Sequence, residues 1–358
     1  MDQYMRRAIE LARKGTGFVN PNPLVGAVIV KDGKIIGEGW HKKYGDLHAE
    51  RNALKNCSVS TNGADMFVTL EPCCHHGKNP PCTEAVIASG IKRIYVGSSD
   101  PNPLVAGKGV QILRDNGIEV IEGFLKDECD KLNDIFFHYI STQTPYVILK
   151  AAVTADGKIA ACTGNSKWIT NKKSRAHTHE TRKRVSAILV GINTVINDDP
   201  MLNCRSKTPS DPARIICDST LRIPINSNIV RTAKDIPTYI ACVSEDTEKK
   251  NLLSKYGVHI LTLPSDTGII NLAELMRILG EMNFDSVLIE GGASIHASAL
   301  KSGIVNKVQW YIAPKIIGGD GKNAVSSLGI TRAADAHRLR NPHITFFDDD
   351  ILIEYEVK

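Results

Sequence analysis

Three short segments constrain this chain more than anything else in it: His48-Ala49-Glu50, Glu71-Pro72-Cys73, and Cys82 a few residues further on. They supply one imidazole, two thiols and a carboxylic acid two residues beyond the imidazole. A fold that holds these groups at one point must bring together residues far apart in the sequence. Zinc held by three protein ligands keeps a fourth position open for water and lowers that water's pKa from about 15.7 toward about 7. With His48, Cys73 and Cys82 as ligands, Glu50 is left free to carry protons between water and a departing nitrogen. This is the donor set of a zinc-activated hydrolytic deaminase acting on a base-like ring. Two plainer readings compete. Cys74, His75 or His76 could close the site as a fourth ligand and make the zinc structural, or the cysteines could be an inert pair. Cys74 adjoins Cys73, points elsewhere for that reason, and reads as packing.

With 358 residues the chain exceeds the comfortable size of one core, so two domains are expected. A formal charge of +5, spread without clusters, suits anionic small molecules. Nucleic acid asks for a basic stripe, so no nucleic-acid partner is expected. Nine cysteines, an odd number with at least two claimed by a metal, argue against a disulfide framework. No run reaches about 18 apolar residues, so no membrane span is expected. The segment Met1 to Arg7 lacks the apolar stretch of a signal peptide, and the expected location is cytoplasmic.

The first third alternates strand and helix patterns. Residues 2–14 carry Tyr4, Met5, Ala8, Ile9, Leu11 and Ala12 at helical spacing. Val25 to Val30 and Lys34 to Glu38 form two strands around the turn Lys31-Asp32-Gly33. A helix from His48 to Lys55, a strand from Met66 to Leu70 and a helix beginning near Thr83 place the zinc ligands at two facing helix starts. Strands at Ile94 to Val96 and Ile118 to Ile121, with a helix around Gly109 to Asn116, complete a mixed sheet with helices on both faces. The polar run Ser141-Thr142-Gln143-Thr144-Pro145 marks a boundary, with domains expected at 1–143 and 144–358. The second domain opens on the buried-strand pattern Tyr146 to Val153. Further strand patterns follow at Ala187 to Val190, Arg214 to Cys217, Thr238 to Val243, His259 to Leu263, Ser286 to Glu290 and Lys307 to Ile312. Helical stretches at 172–184 and 271–282 intervene. Ile344 to Asp348 and Ile351 to Tyr355 predict a closing hairpin. The alternation predicts a doubly wound sheet with an antiparallel terminal hairpin.

In the second domain Glu290-Gly291-Gly292-Ala293-Ser294 lies between a strand and a helix start. Backbone amides there can approach a phosphate, although a glycine pair after a strand is as often a plain loop. A second turn, Gly318-Gly319-Asp320-Gly321, adds to the case for a nucleotide cofactor, without the glycine order of an ordinary Rossmann domain. Lys150 sits mid-strand among apolar neighbours, either snorkelling or turned into a pocket to meet an anion. Arg182 and Arg205 could hold a substrate phosphate, but Arg182 lies in a Lys/Arg-rich helical run, a composition typical of a solvated face. Asp198-Asp199-Pro200 reads as a turn.

On these residues the chain resembles the bifunctional riboflavin biosynthesis deaminase/reductase family over nearly its full length. The matching stretches are Asn20-Pro21-Asn22-Pro23-Leu24-Val25-Gly26-Ala27, His48-Ala49-Glu50, and Thr69-Leu70-Glu71-Pro72-Cys73 through Cys82. In the second domain they are Lys150 to Gly157, Gly191-Ile192-Asn193-Thr194-Val195 with Asp198-Asp199-Pro200, and Glu290-Gly291-Gly292. The long insertion between Cys73 and Cys82 separates the chain from nucleoside and polynucleotide deaminases. Cys74 departs from the small hydroxyl residue expected at its position.

The resemblance implies an α/β protein: a cytidine-deaminase-like three-layer α/β/α domain followed by a dihydrofolate-reductase-like α/β domain. It implies one Zn2+ per chain, NADPH, a phosphorylated pyrimidine substrate and a homo-oligomer, dimer or tetramer. The implied substrate is 2,5-diamino-6-ribosylamino-4(3H)-pyrimidinone 5′-phosphate, deaminated first and then reduced at the sugar C1′. His48, Cys73 and Cys82 become the zinc ligands and Glu50 the proton shuttle. Asn22, His41, His75 and Lys78 match the deaminase pocket. Lys150, Ser166, Arg182, Leu202, Arg205 and Glu290 match substrate positions of the reductase. Ala152, Trp168, Thr170, Thr194, Asp198, Ser219, Gly291 and Gly292 match cofactor positions. Three rivals are a nucleoside or tRNA deaminase with an unrelated appendage, a zinc-stabilised nucleic-acid-binding module, and a chain with a working reductase and a decayed deaminase, against which the intact ligands argue. The first wants a basic groove, and the second wants a fourth ligand and leaves Glu50 idle.

Overall fold

Apolar runs that alternate with amphipathic ones must bury two faces of each sheet, and the computed structural model has that layered form. It describes residues 1–76 and 79–357. The chain divides into two compact units, Met1–Gln143 and Thr144–Lys358.

The first unit runs α1 (Asp2–Arg13), β1 (Gly26–Lys31), β2 (Lys34–Trp40), α2 (Ala49–Lys55), β3 (Asp65–Leu70), α3 (Cys82–Ala88), β4 (Arg93–Ser98), α4 (Lys108–Asp115), β5 (Glu119–Ile121), α5 (Lys126–Asp130) and α6 (Asp134–Thr142). Its five strands order as β2-β1-β3-β4-β5. β1 is antiparallel to β2 and β3, while β3, β4 and β5 run parallel. Period-two alternation sorts the side chains. Ala27, Ile29, Met66 and Val68 pack with Ala49 and Ala53 of α2 and Val86 of α3. Val28, Val30 and Phe67 pack with Met5, Ala8 and Ile9 of α1. The expected three-layer α/β/α domain is the one observed. The second strand extends to Trp40, beyond the expected Glu38, because Gly39 lets β2 lie against α2: a Cβ on it would fall 2.2 Å from the Ala53 backbone nitrogen.

The second unit runs β6 (Tyr146–Thr154), β7 (Lys158–Ala160), α7 (Lys172–Arg184), β8 (Ala187–Gly191), α8 (Ile192–Asp198), β9 (Ala213–Cys217), α9 (Asn228–Arg231), β10 (Thr238–Cys242), α10 (Thr247–Lys255), β11 (Val258–Thr262), α11 (Leu272–Glu281), β12 (Ser286–Gly291), α12 (Ala293–Lys301), β13 (Lys307–Ala313), β14 (Lys322–Asn323), β15 (Leu339–Phe347) and β16 (Asp350–Val357). Nine strands order as β11-β10-β9-β8-β12-β6-β13-β16-β15, parallel from β11 to β13. The terminal hairpin is antiparallel, as expected, but β15 begins at Leu339, five residues before the expected start. β7 and β14 form a small separate sheet that apolar patterning did not reveal, being only three and two residues long. Because β12 is inserted between β6 and β8, the strand order switches there. The crevice at the carboxyl ends of such strands is where open α/β sheets bind ligands. Among the described residues no helix is long and apolar enough to cross a membrane.

Candidate active sites

The first site forms where β3 ends and α2 and α3 begin. His48 is the residue before α2, Cys82 opens α3, and Cys73 lies in the loop leaving β3. The Nδ1 of His48 is 3.4 Å from the Sγ of Cys73 and 3.4 Å from that of Cys82. Zn–S bonds of about 2.3 Å and a Zn–N bond of about 2.0 Å at tetrahedral angles put N and S about 3.5 Å apart, so the spacing suits a metal. All three ligand atoms lie within 4.8 Å of one another. The Cys73 sulfur is held low, to about 4, by hydrogen bonding from Cys82, then by His48. The backbone amide of Cys82 also donates to it, at 3.4 Å.

No fourth protein ligand joins them among the described residues. Cys74 turns its Sγ toward the Leu104 carbonyl, and His76 is exposed and pairs with Glu84. The structural-zinc reading therefore lacks its closing ligand. Glu50 is 3% exposed, its Oε2 is buried without a partner, and burial, followed by the Cys73 thiolate, pushes its carboxyl up. A buried acid with an unmet oxygen beside an open metal site is equipped to exchange protons with a ligand.

A cavity of about 240 Å³ opens onto this group and is lined by Asn22, His41, His48, Glu50, Cys73 and His75, among others. His41 donates from Nδ1 to the Leu47 carbonyl at 3.2 Å, which leaves its Nε2 to accept from the Asn22 amide at 3.2 Å. Burial lowers its pKa, consistent with that neutral tautomer. His75 keeps a buried Nδ1 without a partner. Lys78 lies outside the described residues. Tyr44, Asp100, Asn102 and Phe136 also line the cavity and were missed from the sequence. Burial raises Asp100 to about 6. Its loop is fastened by Glu71, whose carboxylate accepts from the amides of Asp100, Gly107 and Val110. The only signal for that loop was its place, directly after a buried strand.

The second site is a cavity of about 790 Å³ at the carboxyl ends of β6, β8 and β12. Parallel pairing sets Ile289 against Leu149, so one step on Glu290 stands beside Lys150 on the same face. Arg182 reaches Glu290 from α7 through two bonds of 2.6 and 2.9 Å, and its third nitrogen, Nη1, donates to the Asn203 carbonyl at 2.8 Å. The basic run of α7 thus hides one buried arginine, against the solvated-face expectation. Burial alone would raise Glu290, but Arg182, then Lys150 and His179, outweigh it and hold the carboxylate at about 2. Lys150 lines the cavity and so does not snorkel, and burial lowers its ammonium, opposed by Glu290.

Lys150, Ala152, Ser166, Trp168, Thr170, Thr194, Asp198, Glu290, Gly291 and Gly292 all line this cavity. A Cβ on Gly291 would fall 3.0 Å from the Thr194 hydroxyl, and Gly292 has φ +87°, so the turn before α12 depends on both glycines. Four of the anticipated residues are not among the lining: Arg182, which bonds Glu290, and three more. Leu202 is 4% exposed and packs in the core, Arg205 donates its backbone amide to His179 Nδ1, and Ser219 sits beyond β9. The second glycine turn joins the wall through Asp320 and Gly321. Arg175, Lys322 and His296 line it as well and were not anticipated. His296 is 2% exposed, gives its Nδ1 hydrogen to the Ala324 carbonyl, and has no partner at Nε2. An unmet buried acceptor and a roomy polar cavity fit a nucleotide-sized ligand.

Comparison with known proteins agrees with both halves. The cytidine and deoxycytidylate deaminase zinc-binding region matches residues 1–98, and the RibD C-terminal domain matches residues 145–353. The riboflavin biosynthesis protein RibD of Actinobacillus pleuropneumoniae is 52% identical over 99% of this chain and 94% of its own length. That of Escherichia coli K12 is 36% identical over 98% of each chain. The crystal structure of a diaminohydroxyphosphoribosylaminopyrimidine deaminase/5-amino-6-(5-phosphoribosylamino)uracil reductase from Thermotoga maritima superposes with a TM-score of 0.90 at 40% identity, covering 100% of this chain and 98% of that one. With its His/Cys/Cys site in one unit and its nucleotide-sized cavity in the other, the chain belongs to the RibD family of riboflavin biosynthesis proteins, in which a zinc-binding deaminase domain is joined to an NADPH-using reductase domain.

Proposed function

We propose that the chain catalyses two successive steps on one phosphorylated pyrimidine, 2,5-diamino-6-ribosylamino-4(3H)-pyrimidinone 5′-phosphate. The first replaces the 2-amino group by oxygen, consuming water and releasing ammonia. The second reduces the ribosyl group to ribityl, consuming one hydride and one proton. The observation that carries the reading is the three-ligand cluster with the unmet Glu50 oxygen beside it.

In the deaminase, His48, Cys73 and Cys82 hold one Zn2+ per chain, which supplies the Lewis acidity that makes water nucleophilic near neutral pH. Glu50 takes the water proton at its free Oε2 and returns it to the departing nitrogen. Asn22, His41 and His75 line the pocket that orients the ring, and Lys78 meets the phosphate. The neutral His41 is fixed between Asn22 and Leu47, so it presents one constant face to the substrate.

In the reductase, NADPH supplies the hydride. Ala152, Trp168, Thr170, Thr194, Asp198 and the Gly291-Gly292 turn would hold the cofactor, with the amides at the start of α12 suited to its phosphates, and Ser219, outside the lining, is assigned to it by the resemblance alone. Ser166 and Glu290, with Arg182 bonded to Glu290, hold the substrate, while Leu202 and Arg205, outside the cavity lining, are assigned to it by the resemblance alone. Lys150 would lie near the reaction centre, its charge balanced by Glu290. We further read the enzyme as a cytoplasmic homo-oligomer, a dimer or tetramer. Zinc removal tests the division of labour. Chelated protein should stop releasing ammonia yet still oxidise NADPH when given the deaminated intermediate. Loss of both would place the zinc outside the deaminase reaction alone.

A further inference from the structure

Trp168 departs from ordinary tryptophan behaviour in two ways. It is 66% exposed, and its backbone sits at φ +62°, a left-handed conformation that bulky residues rarely adopt. Such outliers persist only when the surroundings over-determine them. Here two cations do so. Lys315 donates to the carbonyls of Trp168 and Ile169 at 2.6 and 2.9 Å. Arg175 donates through Nη1 to the next carbonyl, that of Thr170, and its guanidinium carbon lies 4.1 Å from the centroid of the Trp168 ring. Three successive carbonyls are thus fixed from two elements, the first turn of α7 and the segment after β13.

Arg175 has no reason of helix stability to be where it is. The first turn of α7 holds no acidic residue, while Lys172, Lys173 and Arg175 all sit at its positive end, where cations are disfavoured. Arg175 also lines the large cavity, as do Trp168 and Thr170. Its guanidinium lies over the indole, and the ring, largely exposed, belongs to a residue of the cavity wall.

We propose that Arg175 is a positioning residue of the reductase, holding Trp168 as a platform whose free face stacks on a planar heteroaromatic ring of the dinucleotide cofactor. This rests on the reading of Trp168 and Thr170 as cofactor contacts. Arg175 does two jobs a lysine cannot combine: its plane stacks on the indole while its edge bonds a carbonyl.

The test uses full-length, zinc-loaded enzyme and its Arg175→Ala, Arg175→Lys and Trp168→Phe variants, with circular dichroism and the urea midpoint as the check on folding. Tryptophan fluorescence is titrated with NADP+ and, separately, with the pyrimidine substrate. For Arg175→Ala, the KM for NADPH and the apparent Kd for NADP+ should each weaken about tenfold, with kcat within about threefold. Arg175→Lys, the variant to rely on if the alanine form does not fold, should stay weakened by about threefold or more. Trp168→Phe should lose most of the NADP+ quench. An unchanged KM and quench in the arginine variants, or full rescue by lysine, would overturn the positioning role. Quenching of Trp168 by the pyrimidine alone would transfer the platform to substrate and overturn the cofactor assignment. A quench by NADP+ that survives Trp168→Phe would instead remove Trp168 from the cofactor contacts, a failure of the underlying reading that the kinetics of the arginine variants do not share.

Discussion

Replacing Glu290 by glutamine keeps the volume of the side chain and removes one buried negative charge from between two cations. Glu290 is 8% exposed at its side chain and Arg182 is 13% exposed, so water cannot take over the lost pairing. Its carboxylate titrates near 2, against an ordinary 4.5. That difference of about 2.5 corresponds to about 3 kcal/mol of stability at neutral pH. Breaking a buried pair from one side costs about 3–5 kcal/mol, the same order. Because the folded value is depressed, the contribution is complete above about pH 4.5 and disappears as the pH falls toward 2. The assay is urea denaturation followed by fluorescence in a Trp40→Phe background, which leaves Trp168 and Trp310 as reporters, both in the second unit. Glu290→Gln should lose about 3 kcal/mol at pH 7, and its deficit against the parent should shrink in acid. Adding Arg182→Met should recover part of the loss, since one stranded cation goes with it. NADPH oxidation should fall while ammonia release continues. A deficit below about 0.5 kcal/mol, or one that grows in acid, would refute the reasoning.

Glu50→Gln should keep its zinc, measured by metal analysis, and lose about 10²- to 10⁴-fold in ammonia release. Cys73→Ser should lose zinc and ammonia release together, with NADPH oxidation on the deaminated intermediate preserved. Arg214 is wholly buried and donates to the hydroxyls of Thr232 and Thr238 and the carbonyls of Met201, Ile229 and Ile236. Arg214→Met strands those acceptors and should cost about 2–4 kcal/mol in the same urea assay.

What the sequence revealed and what it hid follow from how each site is assembled. The zinc cluster was legible because three local motifs each carry a ligand at an element start, where direction is fixed by the local turn. Most strands were legible because their apolar runs are continuous. Arg182, Glu290 and Lys150 were named as single residues but their contact was not, since it depends on β12 lying beside β6 and on Arg182 reaching over from α7, and neither follows from periodicity. Arg182 reads as one more cation in a basic helix until that packing is known. Asp100 and Asn102 enter the deaminase pocket only because Glu71 ties down their loop, a long-range bond with no local signature. Arg175 was invisible for the same reason, its role being defined by Trp168 and Thr170 across a loop of irregular backbone.

The most direct test of the account follows ammonia release and NADPH oxidation together on zinc-loaded enzyme given the diaminopyrimidinone ribosyl phosphate. Ammonia should appear first, then NADPH consumption that depends on it and vanishes in Glu50→Gln unless the deaminated intermediate is added. NADPH oxidation that proceeds at full rate in Glu50→Gln without added intermediate would contradict it.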